Sequence, residues 1–448
     1  MALSWVVSLP FGLCWCAYLH MPAVLYIYVV NMHVAPIKYC QPYLVASTGL
    51  FCTLFCLTAP LVRIFSPEEL SALHVICGYI FPVFAGISYV LSAVAATIMF
   101  KITDLVVNQT HFTPDQVARL TLYRWLLYPK VQLRAVAGFG SILIVPCCVV
   151  LGFTHNEVSE RKQLNMILLA WTGVTGVVGS VLSLWMARHM PPYMDNLGFQ
   201  SKYRRTNRTT MFLVVVGLVH GGLELVLAMP LGQEFHVRNI LFTLMVQYVF
   251  YFNITVPLRH LATSVQTSAP PSRLATITFK KRHFHVDDLD HYLQSRQGQS
   301  TFLAFCQRDF RTEEIRAWQL VEQFKQRLVS PQTLVATCLS PQCALACPTS
   351  TVWGPIYVAR LESWLRQDAD IVGNVMPTSF FDEFQVALLV ALCEDVWPRF
   401  KRQSMEWTNF YSRQRNLEGM DRVLRMVIKK SSSRLRPSRP PPTLSAPR

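Results

Sequence analysis

Charge is scarce in this chain. Of its 448 residues only 15% are Asp, Glu, Lys or Arg, while 52% are hydrophobic, and the mean hydropathy is +0.30. One soluble core buries too little apolar surface to carry that average. The sequence also lacks the Gly-rich P-loop pattern that cradles nucleotide phosphates. Its thirteen cysteines are scattered, many inside apolar stretches, without the even spacing of a secreted disulfide framework. A formal charge of +15 would suggest nucleic acid, but a basic stripe with interleaved aromatics is missing, so no nucleic-acid partner is expected.

The composition changes once along the chain. From Met1 to about Leu258 apolar stretches follow one another with charges confined between them, whereas from Arg259 onward charged and amide residues are evenly spread. A helix needs about 20 apolar residues to cross the hydrocarbon core. Seven stretches reach or approach that length: Trp5 to Val30, Tyr43 to Val62, Leu73 to Phe100, Val136 to Phe153, Leu164 to Met186, Met211 to Leu231 and Ile240 to Pro257. The first has no basic n-region and exceeds an h-region, so it reads as a span and not as a cleaved leader. The expected organisation is all-α: a seven-helix transmembrane domain over residues 1–260, a juxtamembrane linker over 261–285, a soluble helical domain over 286–405 and a disordered basic, Pro/Ser-rich tail over 406–448.

Seven spans place the two ends on opposite sides. One set of connections holds Lys38; Lys101, Arg119, Arg124, Lys130 and Arg134; Arg188, Lys202, Arg204, Arg205 and Arg208; and Arg259, Arg273, Lys280, Lys281 and Arg282. The alternate set holds only Arg63, Arg161, Lys162 and Arg238. Sixteen cations against four put the first set, and everything after Leu258, in the cytoplasm with the N-terminus outside. The expected location is the plasma membrane. The sequons at Asn108 and Asn207 then fall on the cytoplasmic side and Asn253 within a span, so none is expected to be glycosylated.

An ionisable side chain at mid-bilayer costs several kcal/mol unless it is paired or wet. His220 and Glu224 stand four apart in the sixth span, hence on one helical face. They could line a site for an extracellular small-molecule ligand or a proton, or form a neutral hydrogen-bonded pair between helices. Pro82, Pro146 and Pro257 are positioned to kink their helices. Cys338, Cys343 and Cys347 lack a fourth ligand at zinc spacing and read as a Pro- and Cys-bearing loop, not a metal site.

Past residue 287 the pattern is that of amphipathic helices. Ala317, Val321, Phe324 and Leu328 form one apolar stripe, and Phe381, Phe384, Leu388, Ala391 and Leu392 another. The residues around these stripes carry a resemblance. Leu289, Leu293, Gly298, Phe302, Phe305, Asp309, Phe310, Glu313, Ile315 and Trp318 are similar to the opening of the RGS domain, the regulator of heterotrimeric G-protein signalling. Phe381, Asp382, Gln385, Asp395, Trp397, Arg399 and Phe400 resemble its closing block, in the right order; residues 329–374 match poorly. An RGS domain joined to a seven-helix membrane region resembles the receptor-like regulators best known from plants. On the membrane side that resemblance rests on span count alone.

The resemblance implies a function. An RGS domain does no covalent chemistry: it binds a Gα subunit and holds its switch loops in the arrangement that suits GTP hydrolysis, so the catalytic groups belong to Gα. The chain is therefore expected to be a GTPase-activating regulator, not an enzyme, with no cofactor or metal of its own. By motif register Glu313, Glu314, Asn374, Ala391, Asp395 and Arg399 fall at the Gα contact. Glu314 stands where the family has a neutral Asn and Ala391 where it has a Leu, each departure removing about 1–3 kcal/mol of contact. The alternative is a seven-span receptor or scaffold whose degenerate domain binds Gα without accelerating hydrolysis; a transporter with an appended domain is a weaker one. Trp318, Phe302, Phe305 and Phe400 are assigned to the core. The tail cations Lys429, Lys430, Arg434, Arg436 and Arg439 either adhere to the anionic inner leaflet or are simply solvated.

Overall fold

The computed structural model describes residues 5–34, 37–39, 41–65, 72–109, 112–152, 158–189, 199–227, 237–259, 261, 278–368 and 376–434. Among these residues every regular element is helical and no strand forms. Among the described residues five helices are long and apolar enough to cross a membrane: Ser8–Val30, Pro42–Phe65, Ala72–Asn108, Ala170–His189 and Asn239–Arg259.

The other two expected spans differ for identifiable reasons. The stretch from Val136 to Phe153 is divided into helices Pro129–Leu143 and Val145–Gly152. Pro146, which has no N–H to give and crowds the carbonyl four residues back, sits at the division. The sixth stretch begins inside helix Phe199–Leu227, and residues 228–236 lie outside the described ones. Pro82 and Pro257 act in the same way but leave a different mark. Each follows a π-helical turn, Ile76–Ile80 and Tyr251–Thr255, in which Phe81 N–H reaches Ile76 O and Val256 N–H reaches Tyr251 O. The widened turn absorbs the bond that proline cannot make.

Close backbone approach sets the bundle packing at Gly140, where a Cβ would lie 2.2 Å from the Phe84 ring. Helix Pro129–Leu143 can therefore lie directly on helix Phe81–Asn108. The span Ala72–Asn108 contains 37 residues. At 1.5 Å per residue it is about 55 Å long against a hydrocarbon core of about 30 Å. Its surplus end leaves the bundle, and Ile102 and Val106 are buried in one apolar cluster with Leu289, Ile315 and Trp318 of the C-terminal region. After it, Thr113 opens helix Pro114–Leu126 with a capping box, accepting from Gln116 N–H while the Gln116 side chain accepts from Thr113 N–H at 3.0 Å.

The C-terminal region packs helices Thr278–Leu293, Arg296–Arg308, Thr312–Lys325, Pro348–Asp368, Asp382–Asp395 and Trp397–Gln403 around an aromatic core. Phe302 meets Phe400 edge-on at 5.1 Å, Phe305 meets it at 5.3 Å, and Trp397 stacks on Phe400 at 5.5 Å. The two sequence blocks that carry the resemblance thus interdigitate, and Trp318, Phe302, Phe305 and Phe400 are all buried. Ser295 caps the second of these helices by accepting from Gly298 N–H at 2.9 Å. Residue 298 is glycine because a Cβ there would lie 2.1 Å from Tyr292 O.

The expectation of a disordered tail from residue 406 does not describe Met405–Arg434, which is one helix. Ser404 accepts from Trp407 N–H at 3.2 Å, and Trp407 and Phe410 pack on Tyr292 at 5.6 and 5.0 Å. Two anchored aromatics seat the helix start on the core, whereas the prolines that prompted the expectation begin only at Pro437. Residues 435–448 lie outside the described ones.

Candidate functional site at the junction of bundle and helical domain

The turn after helix Arg296–Arg308 sets the geometry. Arg311 N–H closes back on Cys306 O at 2.9 Å, and Phe310 takes φ 56°, a left-handed conformation that costs a non-glycine residue about 1–2 kcal/mol. The turn directs three consecutive side chains apart. Asp309 goes inward and is fully buried, Phe310 meets Phe100 of the membrane bundle edge-on at 4.8 Å, and Arg311 stands beside Glu314.

A charge network joins this turn to the end of helix Asp382–Asp395. Arg399 Nη1 lies 2.8 Å from Asp309 Oδ2, and Arg399 Nε donates to Asp395 O at 3.1 Å. Its Nη2 reaches Asp395 Oδ1 at 3.4 Å. Arg311 pairs with Glu314 at 3.1 Å and with Asp395 at 3.8 Å. Glu314 is 2% exposed. Burial raises its pKa above the ordinary glutamate value, with Arg311 opposing.

The membrane bundle supplies the facing wall. The Tyr39 hydroxyl donates to Asp395 Oδ2, and Lys38 Nζ lies 4.0 Å from the same carboxylate. The Arg399 guanidinium stands over the Tyr39 ring at 5.7 Å. Burial raises the Tyr39 pKa, Arg311 opposing and Asp395 adding to the rise, so the phenol keeps the proton it donates. On the other flank Arg124 donates to Cys343 O at 2.9 Å and Ala344 O at 2.6 Å, with its Nη2 3.6 Å from Glu313. Arg316 returns a bond of 2.5 Å to Val107 O.

Glu313, Glu314, Asp395 and Arg399 are therefore brought together, drawn from two sequence blocks. Ala391 is half-buried on helix Asp382–Asp395. Asn374 lies outside the described residues. His220 is half-buried in helix Phe199–Leu227, and the Glu224 side chain lies outside what the structure describes. Asp395 ends helix Asp382–Asp395, and Val396 opens the next helix without a side-chain cap.

A second feature lies within the bundle. A cavity of about 790 Å³ is lined by apolar side chains such as Phe55 and Trp171, with Arg63, His74 and Asn239 as polar groups. Arg63 is 3% exposed and its Nη2 lies 3.0 Å from His74 Nε2. His220 does not line it. Sequence reasoning counted Arg63 only as a loop charge; its place inside a span-length helix was the signal that marked it as a buried polar group. Tyr39, Arg124 and Phe310 were passed over as facing groups because their partners are distant in sequence. Among the described residues no group of three His, Cys, Asp or Glu is disposed to hold a metal.

No protein-family model matches the chain, and neither does any curated protein or solved structure.

Proposed function

We propose that this chain is a membrane-tethered regulator of heterotrimeric G-protein signalling, with seven spans, its N-terminus outside and its helical C-terminal domain in the cytoplasm at the plasma membrane. The domain docks a Gα subunit and accelerates GTP hydrolysis by holding the Gα switch loops, with no nucleotide site or cofactor of its own. The observation that carries this reading is the convergence of two separated RGS-like blocks on one face, Glu313 from the first and Asp395 and Arg399 from the second, tied beneath it by the 2.8 Å contact of Arg399 with the buried Asp309. The proposed topology is supported by the loop at Lys38 and the segment at Arg124, both basic connections, which touch the same helical domain and so lie on its side of the membrane. The test is single-turnover GTP hydrolysis by a panel of purified Gα subunits with the full chain in nanodiscs, as wild type and as Tyr39→Phe with Arg124→Gln, which loosens the bundle's contacts with Asp395 and Glu313. Acceleration of at least one is expected, and none across the panel removes the activating role.

A second reading is a receptor or scaffold that binds Gα without accelerating it. It is favoured by Glu314, which is buried against Arg311 and so not presented to a partner, and by the small side chain of Ala391. Capture of Gα in its transition-state-mimicking form with an unchanged hydrolysis rate would select this reading. The cavity beside Arg63 is the place where a small-molecule ligand would act under either.

A further inference from the structure

The surface assigned to Gα is already occupied. Side-chain exposure at Glu313 is 15% and at Asp395 16%, and beside Arg311 and Arg399 of the domain itself the groups over them come from the membrane bundle. Arg124 sits on Glu313, Lys38 and Tyr39 sit on Asp395, and Phe100 sits on Phe310. A protein partner of ordinary size needs about 800 Å² of this face. It cannot dock through Glu313 and Asp395 while those contacts hold.

We infer that the cytoplasmic rim of the bundle, formed by Lys38, Tyr39, Phe100 and Arg124, is the resting occupant of the Gα-docking face and competes with Gα for it. This rests on the G-protein reading above and adds the regulation of the same surface. The rim matches the face in charge: two cations and a phenol meet two carboxylates, as a partner selected for this surface would. The polar part of the contact is the pairing of Glu313 with Arg124 and of Asp395 with Lys38 and Tyr39. Its apolar part at the turn is the ring pair Phe100 on Phe310, set where the backbone is strained, and it continues into Ile102 and Val106.

The rim is mechanically tied to the cavity. Tyr39 lies three residues before helix Pro42–Phe65, which lines the cavity with Cys52, Phe55 and Arg63. Phe100 lies on helix Phe81–Asn108, which lines it with Val83 and Val90. A ligand that shifts these two helices moves the groups over Asp395 and Phe310, which gives the cavity a route to that part of the docking face.

The test uses the full chain in nanodiscs and leaves the docking face untouched. Tyr39→Phe with Arg124→Gln removes the Tyr39 bond to Asp395 and the Arg124 pair with Glu313, leaving Lys38 in place. Two quantities are read: affinity for Gα bound to GDP and aluminium fluoride, and hydrogen exchange of residues 309–316 and 393–399. Closure predicts faster exchange in both segments and affinity raised about tenfold or more, since apparent affinity scales with the open fraction. Equal Gα affinity in wild type and variant, with binding detected in both, overturns the competition and leaves the G-protein reading standing. Unchanged exchange overturns the contact itself. No Gα bound by the variant although its segments exchange freely overturns the competition through failure of the G-protein reading.

Discussion

Arg399 extends one guanidinium nitrogen to within 2.8 Å of the wholly buried carboxylate of Asp309, and the same side chain holds the last carbonyl of helix Asp382–Asp395. A residue expected to face a partner is thereby engaged inside the domain. Removing one member of a buried pair strands the other, at about 3–5 kcal/mol. Arg399→Ala should lower the thermal midpoint of the helical domain by several degrees. Asp309→Asn, which keeps a neutral acceptor, should cost less. Loss of Gα binding in Arg399→Ala with an unchanged midpoint would instead make Arg399 a contact residue only.

Gly298 and Gly354 form a pair of controls on backbone approach. A Cβ at Gly298 would meet Tyr292 O at 2.1 Å, and one at Gly354 would meet Leu339 O at 2.3 Å. Neither obstacle is a flexible side-chain end, so the backbone itself has to shift. Gly298→Ala and Gly354→Ala should each destabilise the domain by about 1–3 kcal/mol. Gly419→Ala, where nothing lies within 4 Å, should be neutral or slightly stabilising in its exposed helix. Denaturant midpoints of the three variants rank the effects.

Much of the helical domain was legible because burial there follows local period. Ala317, Val321 and Phe324 of the first stripe are buried, as are Phe381, Phe384, Leu388 and Leu392 of the second. Leu328 was placed on the first stripe but is 71% exposed. Helix Thr312–Lys325 has ended before it and Arg327 takes φ 61°, a termination with no glycine to announce it. Five of the seven expected spans were legible by length and hydropathy, and the proline positions gave the irregular turns at Pro82, Pro146 and Pro257. What the sequence could not supply was the meeting of Tyr39 with Asp395 and of Arg124 with Glu313. Such contacts depend on how far the helix ending at Asn108 runs on into the helical domain, and no periodicity encodes that. Helix Met405–Arg434 was missed because its anchors, Trp407 and Phe410, are two side chains in a polar stretch.

Cys393 offers a check on the domain's packing. It is only partly buried, yet burial pushes its thiol pKa up to about 12, with Lys401 opposing and Asp288 and Glu394 adding to the rise. Since the thiolate is the reactive form, its alkylation at pH 8 should be far slower than that of an unperturbed thiol. Asp288→Asn and Glu394→Gln remove two of the charges that raise it, and the double variant should react faster. Mass spectrometry of peptides after timed iodoacetamide treatment measures both rates.

Glu314 gives a pH signature whose sign follows from its burial. Its pKa in the folded chain lies above that of an ordinary glutamate because burial disfavours the anion more than Arg311, at 3.1 Å, favours it. In the unfolded chain the group titrates near 4.3. A carboxyl that binds its proton more tightly when folded contributes stability that is fully present below the unfolded value and lost as pH rises through the folded one. Glu314→Gln keeps the shape of the protonated side chain and cannot ionise. The stability of wild type minus that of the variant should therefore fall as pH rises from 4 to 7, and effects of other carboxylates cancel in that difference. Thermal midpoints of both proteins at several pH values supply the comparison. A difference that instead grows with pH would show that the pair with Arg311 outweighs burial, and that Glu314 is held as an anion for the sake of the turn at Phe310.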